Sequence, residues 1–208
     1  ASLVFFGDGA TSEGDFHEGT NFAAVLNLPV VLLCNNNQWA ISTPLSKQTR
    51  AKHLADKAVG YGIRGVRVDG NDVLAVYAVT RTALDNARHG QGPTLIEAYT
   101  YRMGAHTTTD DPTRYRVASE VEEWAAKDPI ARVRAFVEKQ QIADADFIAE
   151  VDEQAKQESL HLRERVLAMP DPHPLTLFDH AYPNGSPLVD AQRERFAEYL
   201  DSFEGSAH

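Results

Sequence analysis

Leu3-Val4-Phe5-Phe6 and Val30-Val31-Leu32-Leu33-Cys34 are unbroken apolar runs of strand length. A strand apolar at every position suits the middle of a sheet covered on both faces, and both runs are predicted there. Between them, Gly14 to Leu26 carries Phe16, Phe22, Ala23 and Leu26 at mixed three- and four-residue steps. That spacing predicts a helix, halted before the next strand by Pro29. Strand, crossover helix and parallel strand form the expected unit. Arg64 to Val68 is a third strand, followed by an Asp69-Gly70-Asn71 turn and a helix with Val73, Val76, Tyr77, Thr80 and Leu84 as its apolar stripe. Pro93 to Ala98 is a fourth.

Beyond the fourth strand the pattern changes. Periodicity vanishes from Tyr101 to Ala118, where threonines, aspartates, arginines and His106 make a long polar loop of the kind that carries function. Ser119 with Glu122 reads as a capping box, and Asp128 with Pro129 as the next helix start. Asp144 to Leu167 sets Phe147, Val151, Ala155, Leu162 and Val166 on one face, and the Met169-to-Pro174 stretch ends that helix with a stiff linker. A last helix is expected around Gln192 to Phe203. The fold class is therefore α/β, a mostly parallel sheet with flanking helices followed by a helical C-terminal region. The expected division is an α/β domain with helical extension over residues 1–168 and a C-terminal tail and helix, packing on the body or a partner, over 169–208.

Composition narrows the function classes. With 208 residues, 43% of them hydrophobic and 24% charged, the chain can form a core without a metal or disulfide staple. A net charge of −10 opposes binding to nucleic acid or anionic membranes, and no basic patch offsets it. Cys34, the single cysteine, excludes an internal disulfide and any multi-cysteine metal cluster. No apolar run is long enough to span a bilayer and no secretory leader is visible, so a cytoplasmic setting is expected.

The candidate chemistry gathers at two strand ends. Gly7-Asp8-Gly9 follows the first strand, but Ser12 stands where a dinucleotide fingerprint needs a glycine, and no P-loop lysine follows. Asp8 would repel a phosphate about 4 Å away by about 4 kcal/mol at an effective dielectric near 20, a conflict that a bridging divalent cation turns into attraction. Asn35, Asn36 and Asn37 end the second strand with neutral amide oxygens, suited to a hard cation such as Mg²⁺. Asp8 as a helix-start cap and the asparagines as a polar turn are the plainer readings. Glu13 and His17 are too few for a metal site and read as a solvated or interface pair. Cys34 reads as a small buried hydrophobe. His106 can exchange a proton near neutral pH, or can simply cap the loop. His53, His89, His161, His173, His180 and His208 have no metal-binding spacing.

Gly7-Asp8-Gly9 followed by Asn36-Asn37 resembles the thiamine diphosphate fingerprint. The wider stretches GDGATSEGDFHEGTNFAAVLNLPVVLLCNNNQWAISTP, KAVGYGIRGVRVDGNDVLAVY, GPTLIEAYTYRMGAHTTTDDPTRYR and EEWAAKDPIARVRAF are similar to the α subunit of a two-oxoacid dehydrogenase E1 component, over roughly Val4 to Phe136. That resemblance implies the thiamine diphosphate-binding fold. It also implies Mg²⁺ ligation by Asp8, the Asn37 side chain and the Trp39 main-chain oxygen, and cofactor contacts from Gly7, Asp8, Gly9, Asn35, Asn37, Trp39 and His106. Trp39 stands where the family often has Tyr or Phe, a change that a carbonyl ligand tolerates.

The same resemblance makes His106 the catalytic histidine of an active-site loop whose other members are Arg102, Thr107, Asp110, Tyr115 and Arg116. An Asp110–Arg116 contact would order that loop. Thr107 lies where mitochondrial relatives carry a regulatory phosphoserine. The implied activity is oxidative decarboxylation of a small 2-oxo acid, pyruvate first, with reductive acylation of the lipoyl domain of an E2 partner. The implied assembly is an α2β2 heterotetramer in which the E1 β subunit supplies the glutamate that activates the cofactor. A branched-chain 2-oxoacid dehydrogenase α subunit, an acetoin dehydrogenase α subunit and a non-catalytic complex-assembly scaffold are the alternatives. By the resemblance, an earlier α-subunit segment with further cofactor contacts lies ahead of the first residue.

Overall fold

A computed structural model describes residues 1–204, so His208 lies outside the described residues. Contacts group the chain into two compact units, one over Ala1–Asp144 and one beginning at Ala145.

The first unit opens with β1 (Ser2–Gly7), a 3-10 turn (Gly9–Ser12), α1 (Gly14–Val25) and β2 (Val30–Asn36). A small antiparallel hairpin of β3 (Trp39–Ala40) and β4 (Thr43–Pro44) leads into the short α2 (Leu45–Gln48). A 3-10 turn (Leu54–Asp56), α3 (Lys57–Tyr61), β5 (Arg64–Asp69), α4 (Val73–Arg88) and β6 (Thr94–Tyr99) complete the sheet region. After a long loop come α5 (Ala118–Ala125) and α6 (Pro129–Lys139). Four strands form one parallel sheet in the order β1-β2-β6-β5. Gly7 pairs with Asn35, Asn36 with Tyr99, and Asp69 with Tyr99, so all four carboxyl ends share one edge. That is where open α/β sheets present ligands.

Each sheet face has its own packing. Val31, Leu33, Val68, Ile96 and Ala98 form one core with Ala83 and Ala87 of α4. Cys34 and Glu97 are cross-strand partners on the buried part of the sheet, and the amide of Ala55 donates to Glu97 at 3.0 Å, bringing the Leu54–Asp56 turn onto the sheet. Gly65 permits this approach, because a Cβ there would come within 2.3 Å of the Ala55 carbonyl oxygen.

Several expectations change. β2 and β6 are central, but β1 is an edge strand of the described sheet and Phe5 is 67% exposed. An all-apolar run marks burial demand without saying which neighbour meets it. α1 stops at Leu26, with Asn27 left-handed at φ 49°, ahead of Pro29. Of its stripe, Ala23 is buried and Phe16 meets Phe6, whereas Phe22 and Leu26 are exposed. In α4 the packed face is Ala75, Val76, Val79, Ala83, Leu84 and Ala87, with Val73 and Tyr77 exposed. The Ser119–Glu122 capping box does not form: α5 starts at Ala118, two residues ahead of the start a Ser119 cap would give, with Val117 at the cap position and no side-chain bond there. Asp128 does cap α6, accepting from the Ala131 amide at 2.7 Å, with Pro129 in the first turn.

The second unit contains α7 (Ala145–Leu167), a 3-10 turn (Pro174–Phe178) and α8 (Pro187–Glu204). The contacts thus divide the chain ahead of α7, whereas the division expected at residue 168 falls after it. α8 starts at Pro187, ahead of the expected Gln192, and Phe196 packs between Phe178 and Tyr199 at ring separations of 5.8 and 6.2 Å. No helix of the described residues is long and apolar enough to cross a membrane.

Candidate cofactor and metal site

Asp8 leaves the end of β1 and turns directly into the Gly9–Ser12 3-10 turn, its backbone oxygen held by the Thr11 amide at 3.1 Å and hydroxyl at 2.8 Å. Its side chain is only 1% exposed. Among the described residues a single neutral donor reaches it, Gln48 Nε2 at 2.7 Å from Oδ2. Among the described residues Asp8 has no ion-pair partner. A buried carboxylate in that condition costs several kcal/mol unless a cation compensates it. Gln48 Oε1 beside it is buried and without a hydrogen-bond partner among the described residues.

Asn35 and Asn36 belong to β2, and the turn follows them. Asn35 sits between Gly7 and Ala98 in register, on an exposed position. Asn36 is fully buried: its Nδ2 donates to Glu97 Oε1 at 2.7 Å and its Oδ1 accepts from the Gln38 amide at 3.1 Å. Asn37 Oδ1 accepts from the Trp39 amide at 3.0 Å, and one acceptor position of that oxygen is left for another partner. Gln38 between them is left-handed at φ 71°, held by Nε2 on the Thr100 carbonyl at 2.7 Å and by the Tyr99 hydroxyl on Oε1 at 2.9 Å. Gly9 presses on the hairpin that follows, since a Cβ there would lie 2.8 Å from Ala40 Cβ. The Asp8 turn and the Asn37–Trp39 turn are therefore immediate neighbours.

These groups fit a hard divalent cation. One anionic oxygen, one amide oxygen and one carbonyl oxygen at a shared sheet edge leave further positions for diphosphate oxygens and water. No cluster of three or more His, Cys, Asp or Glu that could hold a metal exists among the described residues. A cation at this edge relies on the neutral oxygens and on what its anionic ligand brings.

Arg102 connects this edge to the polar loop. Its guanidinium donates to the Trp39 carbonyl at 3.3 Å, to the Ile41 carbonyl at 2.7 Å and to the Tyr115 hydroxyl at 2.9 Å. Tyr115 in turn donates to Asp110 Oδ2 at 2.6 Å, and its ring lies 5.2 Å from that of Trp39. The His106 amide donates to the same Asp110 oxygen at 2.8 Å. That amide, and then the Tyr115 hydroxyl, hold the Asp110 carboxyl below the usual range. Asp110 thus orders the loop, but through His106 and Tyr115, where the sequence had paired it with Arg116. The Arg116 guanidinium instead donates to the carbonyls of Arg102 and Met103. The loop backbone bends so that these carbonyls, which have no ladder partners, take the guanidinium.

The His106 imidazole is exposed and forms no hydrogen bond among the described residues. Thr107 lies 3.2 Å, hydroxyl to hydroxyl, from Thr109. A cavity of about 440 Å³ beside this loop is lined by Ile41, Ser42, Thr109, Asp110, Arg114 and Tyr115. Sequence reasoning missed Gln48 and Glu97. Gln48 gave no local signal, being one amide in a polar stretch. Glu97 did: it is an acid inside an otherwise apolar strand, and it is 1% exposed.

Residues 1–174 match the family model described as dehydrogenase E1 component. This chain belongs to that family. The resemblance to E1 α subunits that the motifs carry is borne out. The chain is 52% identical over 199 residues to the 3-methyl-2-oxobutanoate dehydrogenase subunit alpha of Mycobacterium tuberculosis (strain ATCC 25618 / H37Rv), covering 96% of this chain and 54% of that protein. It is 42% identical over 204 residues to the pyruvate dehydrogenase E1 component subunit alpha of Acholeplasma laidlawii, covering 94% of this chain and 57% of the relative. The corresponding Staphylococcus aureus (strain Mu50 / ATCC 700699) subunit is 52% identical over 156 residues, covering 74% of this chain and 42% of that subunit. This E1 chain spans about half the length of the curated relatives it matches.

Proposed function

We propose that this chain forms the thiamine diphosphate and Mg²⁺ site of a 2-oxoacid dehydrogenase E1 α subunit that works with an E1 β subunit and acylates the lipoyl domain of an E2 partner in the cytoplasm. The observation that carries this reading is the buried Asp8 carboxylate, which has no ion-pair partner among the described residues and adjoins the Asn37–Trp39 turn. When bound, thiamine diphosphate supplies the electron sink for decarboxylation. The chain's own residues do the rest. Asp8, Asn37 Oδ1 and the Trp39 carbonyl hold the cation that anchors the diphosphate. Gly7 and Gly9 let the ligand approach the backbone, and Asn35 faces it from the β2 edge. Arg102, Asp110, Tyr115 and Arg116 shape the loop backbone that carries His106 and Thr107. His106 acts as the proton donor to the acceptor sulfur during acyl transfer, a role suited to an imidazole near neutral pH.

Pyruvate and 3-methyl-2-oxobutanoate are the two substrates proposed. Relatives named for each stand at 52% identity, the 3-methyl-2-oxobutanoate subunit over 96% of the chain and a pyruvate subunit over 74%, so turnover decides between them. The test is calorimetry of thiamine diphosphate binding with and without Mg²⁺ to the full-length α chain assembled with its β subunit, followed by turnover of both 2-oxo acids. Asp8→Ala and Asn37→Ala are expected to weaken Mg²⁺-dependent binding at least tenfold. His106→Ala is expected to bind the cofactor normally and lose lipoyl acylation by about 10²-fold or more. Wild-type affinity in both Asp8→Ala and Asn37→Ala would reject the site. Assembly with E2 in the absence of any metal-dependent cofactor binding would point instead to a scaffold.

A further inference from the structure

We infer that Glu97 is a positioning residue for the cation site, acting through the Asn36 amide on the turn that presents Asn37 and Trp39. The inference deepens the proposed function and rests on that reading of the Asp8–Asn37–Trp39 edge. Glu97 lies in the middle of β6, between Cys34 of β2 and Arg67 of β5 in register. Both of its carboxylate oxygens are used. Oε1 accepts from Asn36 Nδ2 at 2.7 Å with Arg67 Nε at 3.5 Å, and Oε2 accepts from the Ala55 amide at 3.0 Å.

A carboxylate can only accept. Glu97 therefore admits the NH2 side of the Asn36 amide and excludes its oxygen. That choice leaves Asn36 Oδ1 pointing at the Gln38 amide, 3.1 Å away. With the amide reversed, NH2 would face the Gln38 N–H and the bond would be lost. Gln38 is the residue whose left-handed backbone, φ 71°, turns the chain between the two proposed ligands, Asn37 and Trp39. The order of dependence is thus Glu97, Asn36 amide orientation, Gln38 backbone, and then the direction of Asn37 Oδ1 and of the Trp39 carbonyl. Outer partners of this kind commonly change metal affinity 10–100-fold when removed.

A general packing role for Glu97 and a positioning role differ in what an exchanged pair would do. In Glu97→Gln, an amide NH2 replaces one acceptor oxygen, so either Asn36 or the Ala55 amide loses its acceptor. In the double variant Asn36→Asp with Glu97→Gln, the bond between the two side chains is restored with reversed polarity and the Ala55 and Gln38 amides keep their acceptors, while Arg67 Nε loses its carboxylate on β6. The new amide on β6 would donate to the new carboxylate on β2 and accept from the Ala55 N–H, and the second oxygen of that carboxylate would accept from the Gln38 N–H. The full-length α chain assembled with its β subunit is titrated with Mg²⁺ at fixed thiamine diphosphate, with calorimetric heat as the readout, and its thermal midpoint is measured without metal.

Glu97→Gln is expected to raise the Mg²⁺ concentration for half-maximal binding by about tenfold or more. The exchanged pair is expected to return it to within about threefold of wild type. If Glu97→Gln does not fold, the exchanged pair carries the test alone. Wild-type Mg²⁺ dependence in Glu97→Gln overturns the inference, and so does an exchanged pair that fails to fold or keeps the weakened binding. A wild-type assembly with no Mg²⁺-dependent binding at all would overturn the proposed function itself, and with it this inference.

Discussion

Asp110 shows how one side chain can order the loop that carries His106. The His106 amide, followed by the Tyr115 hydroxyl, lowers its carboxyl pKa in the folded chain. A lowered folded pKa contributes order that is complete above the unfolded carboxyl value near about 4 and is lost as pH falls through the folded value. Hydrogen exchange at the His106 amide is therefore expected to be slow from neutral pH down to the carboxylate range and to lose its protection below it. Asp110→Asn should remove that transition, because its side chain does not titrate. A wild-type protection factor that stays constant through the acid range would show that the loop is ordered by something else. Tyr115 also joins Arg102 to this carboxylate, and Arg102 touches the Trp39 carbonyl. The two sites that the sequence presented separately, fingerprint and loop, thus share a hydrogen-bonded path.

The elements around this edge are held by close packing at Gly65 and by the Asp128 cap of α6. At Gly65 a methyl group would meet the Ala55 carbonyl oxygen at 2.3 Å. Gly65→Ala is expected to destabilise the first unit by about 1–3 kcal/mol, as overpacking does, and to displace the turn whose amide binds Glu97. An unchanged urea midpoint would contradict this. Asp128→Ala should cost about 1 kcal/mol through the lost cap on α6, read from the same unfolding curve. β2 and β6 were legible from their apolar runs, and β5 from its short β-rich stretch ahead of the Asp69-Gly70-Asn71 turn, because these signals are local. The place of β1 at the edge of the described sheet was not, since an apolar run carries no information on its neighbours. The β3–β4 hairpin was equally hidden, because two-residue strands have no period. Gly7-Asp8-Gly9 and the asparagines stood out as punctuation at strand ends. Gln48 and the Asn36–Glu97 pair depend on residues far apart in sequence, and only the sheet order brings them together.

Across the molecule, the buried edge concentrates charge. Burial raises the Cys34 thiol pKa far above its ordinary range, and the carboxylates of Asp8 and Glu97 add to that rise. Cys34 is the single cysteine and is fully buried, so thiol labelling by an aromatic disulfide should report opening of the sheet. Its rate is expected to be negligible in the native protein and to rise in parallel with urea unfolding. Rapid labelling without denaturant would contradict the buried position. Mg²⁺ binding at the proposed Asp8–Asn37–Trp39 site should slow labelling further, because binding to the folded form alone stabilises it. The most direct measurement is a structure of the assembled protein with Mg²⁺ and thiamine diphosphate. The expected result is an Asp8 carboxylate oxygen, Asn37 Oδ1 and the Trp39 carbonyl oxygen each at about 2.1 Å from the cation, with Arg102 still on the second lone pair of that carbonyl. A cation seated elsewhere, with Asp8 or Asn37 out of its coordination sphere, would contradict it.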